Sequence, residues 1–216
     1  MLQDCPDMIG RRRLGLLTVG AVLALPAAAL SGPEPGQLLQ RANITLNEAR
    51  SDPQFGAAPD FFRRARAIMV VPQLVKGGFF LGGEGGNAVL LRPTSGGQWG
   101  NPLFYAMGSA SFGLQIGVEV AEVALFVMSD RALRAWTRDE VKLGVQAGLT
   151  VLVIGSNAAA AATTNANVDV IAWARSKGAY AGITIEGSVI KARNEWNTAY
   201  YGHPVSVARV IGTGKI

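Results

Sequence analysis

A glycine-rich stretch from Lys76 to Val89 restricts the fold more than any other feature of this sequence. Six of the ten residues from 77 to 86 are glycine, whereas the whole chain has 27 glycines in 216 residues. Glycine allows backbone bulges and close approach between neighbouring chains. Apolar runs lie around this stretch, at Phe79, Phe80 and Val89 among others. The pattern therefore predicts a kinked hairpin inside a tightly packed sheet.

A second interpretation of the same stretch is an anion site, in which exposed amide groups and Lys76 contact a phosphate. Two known phosphate-binding motifs are excluded. A Walker loop ends in Gly-Lys-Ser/Thr, whereas Lys76 precedes the glycines. Residues Gly83 to Ala88 fit the spacing of a dinucleotide fingerprint, but they lead into a strand-like run rather than a helix. The architectural and anion-binding interpretations both stay open at this point.

The remaining periodicity predicts a single α+β domain, built around a mainly antiparallel sheet of short glycine-bent strands flanked by a few helices. Pro72 is expected to end the first strand, and the tail after Gly202 shows no clear period. Residues 155–167 fit either a loop or a frayed helix. Helices are predicted at 37–50, 60–66 and 129–138, and a small helix or a turn at 194–201. Strands are predicted at 67–71, 79–81, 88–91, 103–107, 112–120, 123–128, 170–174, 178–185 and 188–191.

The first 29 residues have the order of an export signal. Three arginines from Arg11 to Arg13 precede an apolar run, which Pro26 and three alanines end. The apolar run has about 15 residues, fewer than the roughly 20 that a spanning helix needs. We expect cleavage after Ala29, a linker at 30–36, a domain at 37–202 and a tail at 203–216. An uncleaved anchor, a twin-arginine route and a start at Met8 remain alternatives.

Composition excludes several classes of function. The chain has one cysteine, Cys5, and one histidine, His203, so an internal disulfide and a Cys/His zinc site are both impossible. We predict neither a metal nor a cofactor. The net charge of +5 favours an anionic partner. Aromatic residues interleaved with basic ones are too sparse for a nucleic-acid platform, so no nucleic-acid partner is predicted.

The sequence predicts no catalytic residues. Ser109 to Gly113 nearly matches the G-x-S-x-G elbow of hydrolases, with Ser111 as the nucleophile, but the first glycine is missing. Its flanks also look like strand on both sides, whereas the elbow joins a strand to a helix. His203, the one available histidine base, follows at a distance in the tail.

An ordered series of motifs runs from about Gln37 to Gly202: Lys76 to Phe79, Gly82 to Gly86, Trp99, Pro102, Phe104 to Tyr105, Ser111 to Gly117, Val127 to Met128, Lys142 to Gly144, Tyr180 to Ile190 and Ala199 to Gly202. This series resembles the SYLF domain family. This resemblance implies a phospholipid-binding protein, because eukaryotic members are membrane adaptors that bind phosphoinositides and bacterial members are exported proteins thought to bind phospholipid. It also implies a possible protein partner, since some fungal members bind and bundle actin.

Charge and resemblance together predict a headgroup site and a second basic surface. Lys76 belongs to the resembling motif, whereas the arginines before the first strand are chosen on charge alone. The headgroup site comprises Arg63, Arg64, Arg66, Lys76, Gly77, Gly78, Gly82, Gly83, Gly85 and Gly86. The second surface comprises Arg131, Arg134 and Arg138 at helical spacing, with Lys142 beyond them; a solvated helix face is the alternative.

The function expected from the sequence is that of an exported, non-enzymatic domain that binds anionic phospholipid headgroups at a membrane surface. The alternative is a structural or scaffold protein of the envelope that binds a protein partner.

Overall fold

The computed structural model describes residues 34–56, 58–78, 81–94, 98–112, 117–144, 148–154, 168–177 and 185–216. The predicted signal peptide, the segment 155–167 and most of the predicted strand 178–185 lie outside the described residues. The described part of the chain forms five helices and eight strands. The helices are α1 (Pro35–Ser51), α2 (Ala58–Arg64), α3 (Asp130–Ala135), α4 (Asn194–Tyr201) and α5 (Val207–Thr213). The strands are β1 (Ala67–Gly78), β2 (Leu81–Leu91), β3 (Leu103–Phe112), β4 (Gly117–Val127), β5 (Glu140–Lys142), β6 (Val151–Ile154), β7 (Val170–Lys177) and β8 (Val189–Ala192).

All eight of these strands belong to one sheet, in the order β5-β8-β3-β2-β1-β4-β7-β6. Neighbouring strands are antiparallel except β6 and β7, which are parallel. The predicted α+β fold with a mainly antiparallel sheet is confirmed. The four central strands have 10 to 12 residues each and are longer than the short strands expected from the sequence.

A bulge in β1 explains why Pro72 does not end the first strand. The register of β1 shifts by one residue between Val71 and Leu74 in its pairing with β4, and a matching shift occurs in its pairing with β2. A bulge leaves a residue outside the ladder, so a proline without an N–H can be accommodated there. The predicted stop at Pro72 was therefore wrong, and β1 continues to Gly78.

The first face of the sheet, which we call the α1 face, is covered by α1, α2 and part of α4. Leu38, Ala42, Leu46 and Ala49 of α1 are buried there, which confirms the predicted helical stripe. Arg175 of β7 fixes this helix to the sheet, because it forms ion pairs with Glu48 of α1 and with Glu122 of β4. Burial of this apolar stripe is the main stabilisation of α1.

The opposite face, which we call the α5 face, packs against α3 and α5. The prediction of an aperiodic C-terminal tail was wrong here, because α5 buries Val207, Val210 and Ile211 in this core. Ser206 caps the helix by accepting a hydrogen bond from the amide of Arg209 at 3.4 Å. A helix of seven residues is too short to show a clear period in sequence.

None of the helices in the described ranges is both long enough and apolar enough to cross a membrane.

Candidate functional site

The structure divides the predicted headgroup site between the two ends of β1. Arg66 lies just before the first residue of this strand, and Lys76 lies near its last residue. Ten strand residues at about 3.3 Å each separate the two positions by roughly 30 Å. Arg63 and Arg64 of α2 are at the Arg66 end, whereas the glycine-rich hairpin is at the Lys76 end. These basic residues therefore cannot contact one small ligand together.

Arg66, which lies between α2 and β1, instead contacts the start of α3. The amide of Arg66 donates a hydrogen bond to the carbonyl of Val127, the last residue of β4, at 2.7 Å. The guanidinium of Arg66 forms an ion pair with Asp130, the first residue of α3, at 3.3 Å. The antiparallel pairing of β1 with β4 causes this meeting, because it places the start of β1 beside the end of β4. The arginines that precede β1 and the arginines of α3 thus lie at the same end of the sheet.

We call this surface, formed by Arg63, Arg64, Arg66, Arg131 and Arg134, the arginine end. Three of its members pair with aspartates: Arg63 with Asp60 at 2.6 Å, Arg66 with Asp130, and Arg131 with Asp169. Among the residues that the structure describes, Arg64 and Arg134 have no carboxylate partner. Five arginines face three aspartates, which leaves an excess of two positive charges.

Asp169 fixes α3 to the sheet from below the arginine end. Its buried carboxylate accepts hydrogen bonds from the hydroxyl of Ser129, the guanidinium of Arg131 and the amide of Thr150, the last at 2.9 Å. Ser129 is also the N-cap of α3 and accepts a hydrogen bond from the amide of Ala132 at 3.0 Å. Burial alone would raise the pKa of Asp169, but the hydrogen bonds from Arg131, Ser129 and Thr150 outweigh burial and lower it.

Arg138 does not lie on the same helical face as Arg131 and Arg134. α3 ends at Ala135, and Trp136 caps it with its side chain fully buried. Arg138 lies in the turn that follows, and Lys142 is in β5. The three-arginine helical face was therefore predicted wrongly, because α3 ends before Arg138 is reached.

The other end of β1 carries a row of polar side chains. Lys76 pairs in register with Glu84 of β2 on one side and with Glu119 of β4 on the other. Side chains of residues in register point to the same face of a sheet. Both glutamates are buried, and Lys76 is half-buried. Burial raises the pKa of Glu84, although a hydrogen bond from Ser109 and the charge of Lys76 oppose the rise.

The predicted glycines lie in paired strands beside this row. β2 is bonded to β1 on one edge and to β3 on the other, so the strand positions Gly82, Gly83 and Gly85 belong to ladders on both sides, whereas Gly86 pairs with β3 and faces the bulged part of β1. Gly86 has an architectural role, because a Cβ at this position would lie 2.5 Å from the carbonyl oxygen of Gln73 in the β1 bulge. Contact between the glycines, including Gly77 and Gly78, and a lipid headgroup stays a prediction.

The structure does not bring together Ser111 and His203, the two residues considered for a hydrolase site. Ser111 is near the end of β3, in register with Gly82. His203 is exposed in the turn after α4. It lies two residues after Tyr201, whose hydroxyl donates a hydrogen bond to the carbonyl of Pro102, just before the start of β3. The length of β3, more than 25 Å at about 3.3 Å per residue, lies between them. No group of three or more possible metal ligands occurs in the described ranges either.

Sequence reasoning missed Glu84, Glu119 and Asp169 as organising residues of the two ends. The signal available for the first two was a glutamate inside an otherwise apolar or glycine-rich strand. Asp169 had no local signal, because its partners Ser129 and Arg131 are about forty residues away in sequence.

Comparison with known proteins places the chain in a family. Residues 108–216, half of the chain, match the family model described as Ysc84, Las17-binding protein actin regulator. Among curated proteins, LAS seventeen-binding protein 3 of Saccharomyces cerevisiae is 29% identical over 182 residues, covering 81% of this chain and 39% of the yeast protein. The SH3 domain-containing YSC84-like protein 1 of Xenopus laevis is 28% identical over 174 residues, covering 80% of this chain and 52% of the frog protein.

The human SH3 domain-containing YSC84-like protein 1 is 25% identical over 139 residues, covering 64% of this chain and 40% of that protein. The chain thus spans between about two fifths and one half of the length of these relatives. The matched region includes the last part of β3, all of β4 and every later element, and so contains the α3 part of the arginine end. The chain therefore belongs to the Ysc84 family, the SYLF family that its motifs resemble.

Proposed function

We propose that the chain is a non-enzymatic binding domain whose arginine end associates with anionic phospholipid at a membrane surface. The observation that carries the proposal is the exposed ion pair between Arg66 and Asp130, which holds the start of α3 beside the segment between α2 and β1. A planar guanidinium can donate two hydrogen bonds to one phosphate, so arginine is well suited to a phospholipid surface.

The charge of this surface predicts weak and salt-dependent binding. Each basic residue near an anionic bilayer contributes on the order of 1 kcal/mol. Arg64 and Arg134 are expected to contribute most, because no aspartate in the described structure neutralises them. Raising the salt concentration shortens the Debye length from about 10 Å at 0.1 M to about 3 Å at 1 M, which weakens such an association.

We expect the double substitution Arg64→Glu with Arg134→Glu to reduce binding to phosphatidylglycerol vesicles at least tenfold. The measurement is co-sedimentation of the purified chain from Leu30 onward with vesicles of graded phosphatidylglycerol content. The matched control is Arg41→Glu with Lys142→Glu, which changes the net charge by the same amount at two exposed positions away from the arginine end. Both double variants are expected to keep the thermal stability of the parent.

An equal loss of binding in the two double variants would show that total charge matters and the arginine end does not. Equal binding of the parent to phosphatidylcholine and phosphatidylglycerol vesicles would contradict the electrostatic mechanism.

A protein partner is the second candidate function. It is favoured by the printed names of the relatives, which include a LAS seventeen-binding protein and the Las17-binding protein actin regulator family. An acidic partner would use the same arginine end, because the excess positive charge there attracts any anionic surface. Absence of binding to every vesicle composition would favour this candidate.

We also propose that the protein is exported and that residues 1–29 are removed. The expected result is a mature chain that begins at Leu30. The measurement is the intact mass of the protein isolated from its own cells, with cell fractions kept separate. Recovery of the full 216-residue chain in the cytoplasmic fraction would contradict export.

A further inference from the structure

Exposed apolar side chains are concentrated at the end of the sheet that carries the arginines. Five large apolar side chains are exposed in the described ranges, and three of them, Trp99, Tyr200 and Ile216, lie at this end. The other two are Ile44 in α1 and Val118 near the start of β4. We call Trp99, Tyr200 and Ile216 the apolar rim.

The pairing of the central strands places Trp99 at this end. Ile68 of β1 is in register with Leu91 of β2. Arg66 and Pro93, each two positions further out, therefore leave the sheet at the same end. Pro93 forms an antiparallel bridge with Trp99, which precedes β3. Two strand spacings, about 10 Å, thus separate the backbone at Arg66 from the backbone at Trp99.

Tyr200 and Ile216 reach the same end from α4 and α5. The ring of Tyr200 packs on Phe104, the second residue of β3, with 5.1 Å between the ring centroids. The side chain of Asn101, just before β3, donates a hydrogen bond to the carbonyl of Gly214 at 3.0 Å. Gly214 is two residues before Ile216. The whole apolar rim therefore lies around the start of β3.

α3 extends the arginine end toward this strand. The helix begins beside the end of β4 and packs on the α5 face. Trp136, which caps it, accepts a hydrogen bond at its carbonyl from the hydroxyl of Tyr105 in β3 at 3.1 Å. Arg134 is exposed two residues before this contact. The helix thus crosses the end of the sheet from β4 toward β3, and its arginines approach the apolar rim.

The segments that carry the apolar rim contain no acidic side chain. Residues 85–118 contain one charged residue, Arg92, and residues 196–216 contain Arg209 and Lys215 but neither aspartate nor glutamate. The guanidinium of Arg92 donates to the last carbonyls of α5. The surroundings of the rim are therefore neutral or positive, which favours contact with an anionic surface.

We propose that the apolar rim enters the boundary between headgroups and acyl chains of an anionic bilayer, while the arginine end contacts the phosphates. This inference rests on the proposed lipid function and names a second contact for the same surface. Tryptophan and tyrosine suit a membrane interface, because each combines an apolar ring with a polar tip. The indole N–H of Trp99 and the hydroxyl of Tyr200 have no hydrogen-bond partner among the described residues, so both are available to headgroups.

Substitution of Trp99 by alanine is expected to weaken binding to phosphatidylglycerol vesicles about tenfold, because the affinity of such a contact increases with the apolar area that it buries. The factor should be the same at about 0.1 M and about 1 M salt, since salt screens charges and not apolar burial. The double variant Arg64→Glu with Arg134→Glu should instead lose most of its effect at the higher salt concentration. The measurement is vesicle co-sedimentation at both salt concentrations.

Ile44→Ala is the matched control. Ile44 is 57% exposed, more than Trp99. Arg41, one turn earlier on the same side of α1, donates a hydrogen bond to the side chain of Gln73 at 3.1 Å. Gln73 is six residues, about 20 Å, from the arginine end of β1. Ile44→Ala therefore removes an exposed apolar side chain outside the rim, and it should bind vesicles as the parent does.

Tryptophan fluorescence identifies the residue that enters the bilayer. Phosphatidylglycerol vesicles that also contain brominated phosphatidylcholine are expected to quench the emission of the parent. Trp136 and Trp173 are buried and Trp196 is half-buried, so Trp99 should account for most of the quenching. Trp99→Phe keeps an aromatic ring and should lose this quenching while its affinity falls less than about threefold. Undiminished quenching in Trp99→Phe, or equal losses of affinity in Ile44→Ala and Trp99→Ala, would overturn the proposal.

The outcome is separable from that of the proposed function. If the parent binds phosphatidylglycerol vesicles through Arg64 and Arg134 without any quenching, insertion of the rim is wrong and the arginine end stands. If quenching persists and the double arginine variant binds as the parent does, the arginine end is wrong and the rim stands. A shift of Trp99 emission with a proline-rich peptide, together with no quenching by brominated lipid, would overturn membrane insertion in favour of a protein interface.

Discussion

Substitution of Gly86 by alanine is expected to lower the free energy of unfolding by about 3 kcal/mol. The new Cβ would lie 2.5 Å from the carbonyl oxygen of Gln73 and 2.8 Å from Cγ1 of Val71. Both atoms belong to the bulged part of β1, which is held between β2 and β4 and cannot retreat without breaking two ladders. Overpacking of a well-packed core costs about 1–3 kcal/mol, and this clash with backbone belongs at the upper limit. The measurement is equilibrium denaturation in urea.

Gly85→Ala is the matched control for this prediction. A Cβ at Gly85 would meet only the carbonyl oxygen of Met107, at an ordinary contact distance of 3.8 Å. The backbone of Gly85 is not in the left-handed region, so an L-residue causes no strain there. Its stability should remain equal to that of the parent or rise by up to about 1 kcal/mol, since alanine has less conformational entropy to lose. Similar losses in the two variants would show that glycine is needed generally in β2 and that the bulge contact is unimportant.

This pair of residues shows what the sequence could and could not predict. The density of glycines correctly predicted a tightly packed sheet with irregular strands. Sequence alone could not separate Gly86 from Gly85, because the difference is the carbonyl of Gln73, supplied by a bulge in another strand. Strand ends were likewise misjudged at Pro72, because the cost of a missing N–H depends on whether the ladder needs that donor.

The sequence named residues of the candidate site but did not predict which of them the fold brings together. Arg64 and Arg134, which were chosen from the charge pattern, are both exposed in the structure. The pattern grouped Arg66 with Lys76, since the two are ten residues apart in sequence. In an extended strand, ten residues span roughly 30 Å, so Arg66 and Lys76 lie far apart. The antiparallel pairing of β1 with β4 brings Arg66 to Asp130 instead, across 64 positions of sequence.

The sequence also failed to predict where α3 ends. The spacing of Arg131, Arg134 and Arg138 fits a helical face, but α3 ends at Ala135, before Arg138 is reached. Helix propensity does not contain this information, since tertiary packing decides where so short a helix stops.

Substitution of Asp169 by alanine is expected to destabilise the fold by about 3 kcal/mol and to weaken vesicle binding as well. The carboxylate of Asp169 is buried and accepts hydrogen bonds from Ser129, Arg131 and Thr150. Removing one partner of such a network leaves the other groups unsatisfied, which costs about 3–5 kcal/mol for a fully buried pair. The lower figure applies here, because the side chain of Arg131 is 60% exposed and water can solvate it.

The pH dependence of stability provides an independent measurement of the same contact. The pKa of Asp169 is lowered in the folded state below the ordinary value of 3.8. The stabilisation is therefore fully present above that ordinary value and is lost as the pH falls through the lowered folded pKa. Urea denaturation at neutral and at acid pH should show a smaller acid-induced loss for Asp169→Ala than for the parent.

Asp169→Asn separates the hydrogen bonds from the charge. Its amide oxygen can still accept from the amide of Thr150 or the hydroxyl of Ser129, but it cannot pair with Arg131 as an ion. We expect an intermediate loss of stability and the same weakened pH dependence as in the alanine variant. If both variants keep the stability of the parent, Asp169 does not hold α3 in place, and the geometry of the arginine end must depend on the contacts of Arg66 alone.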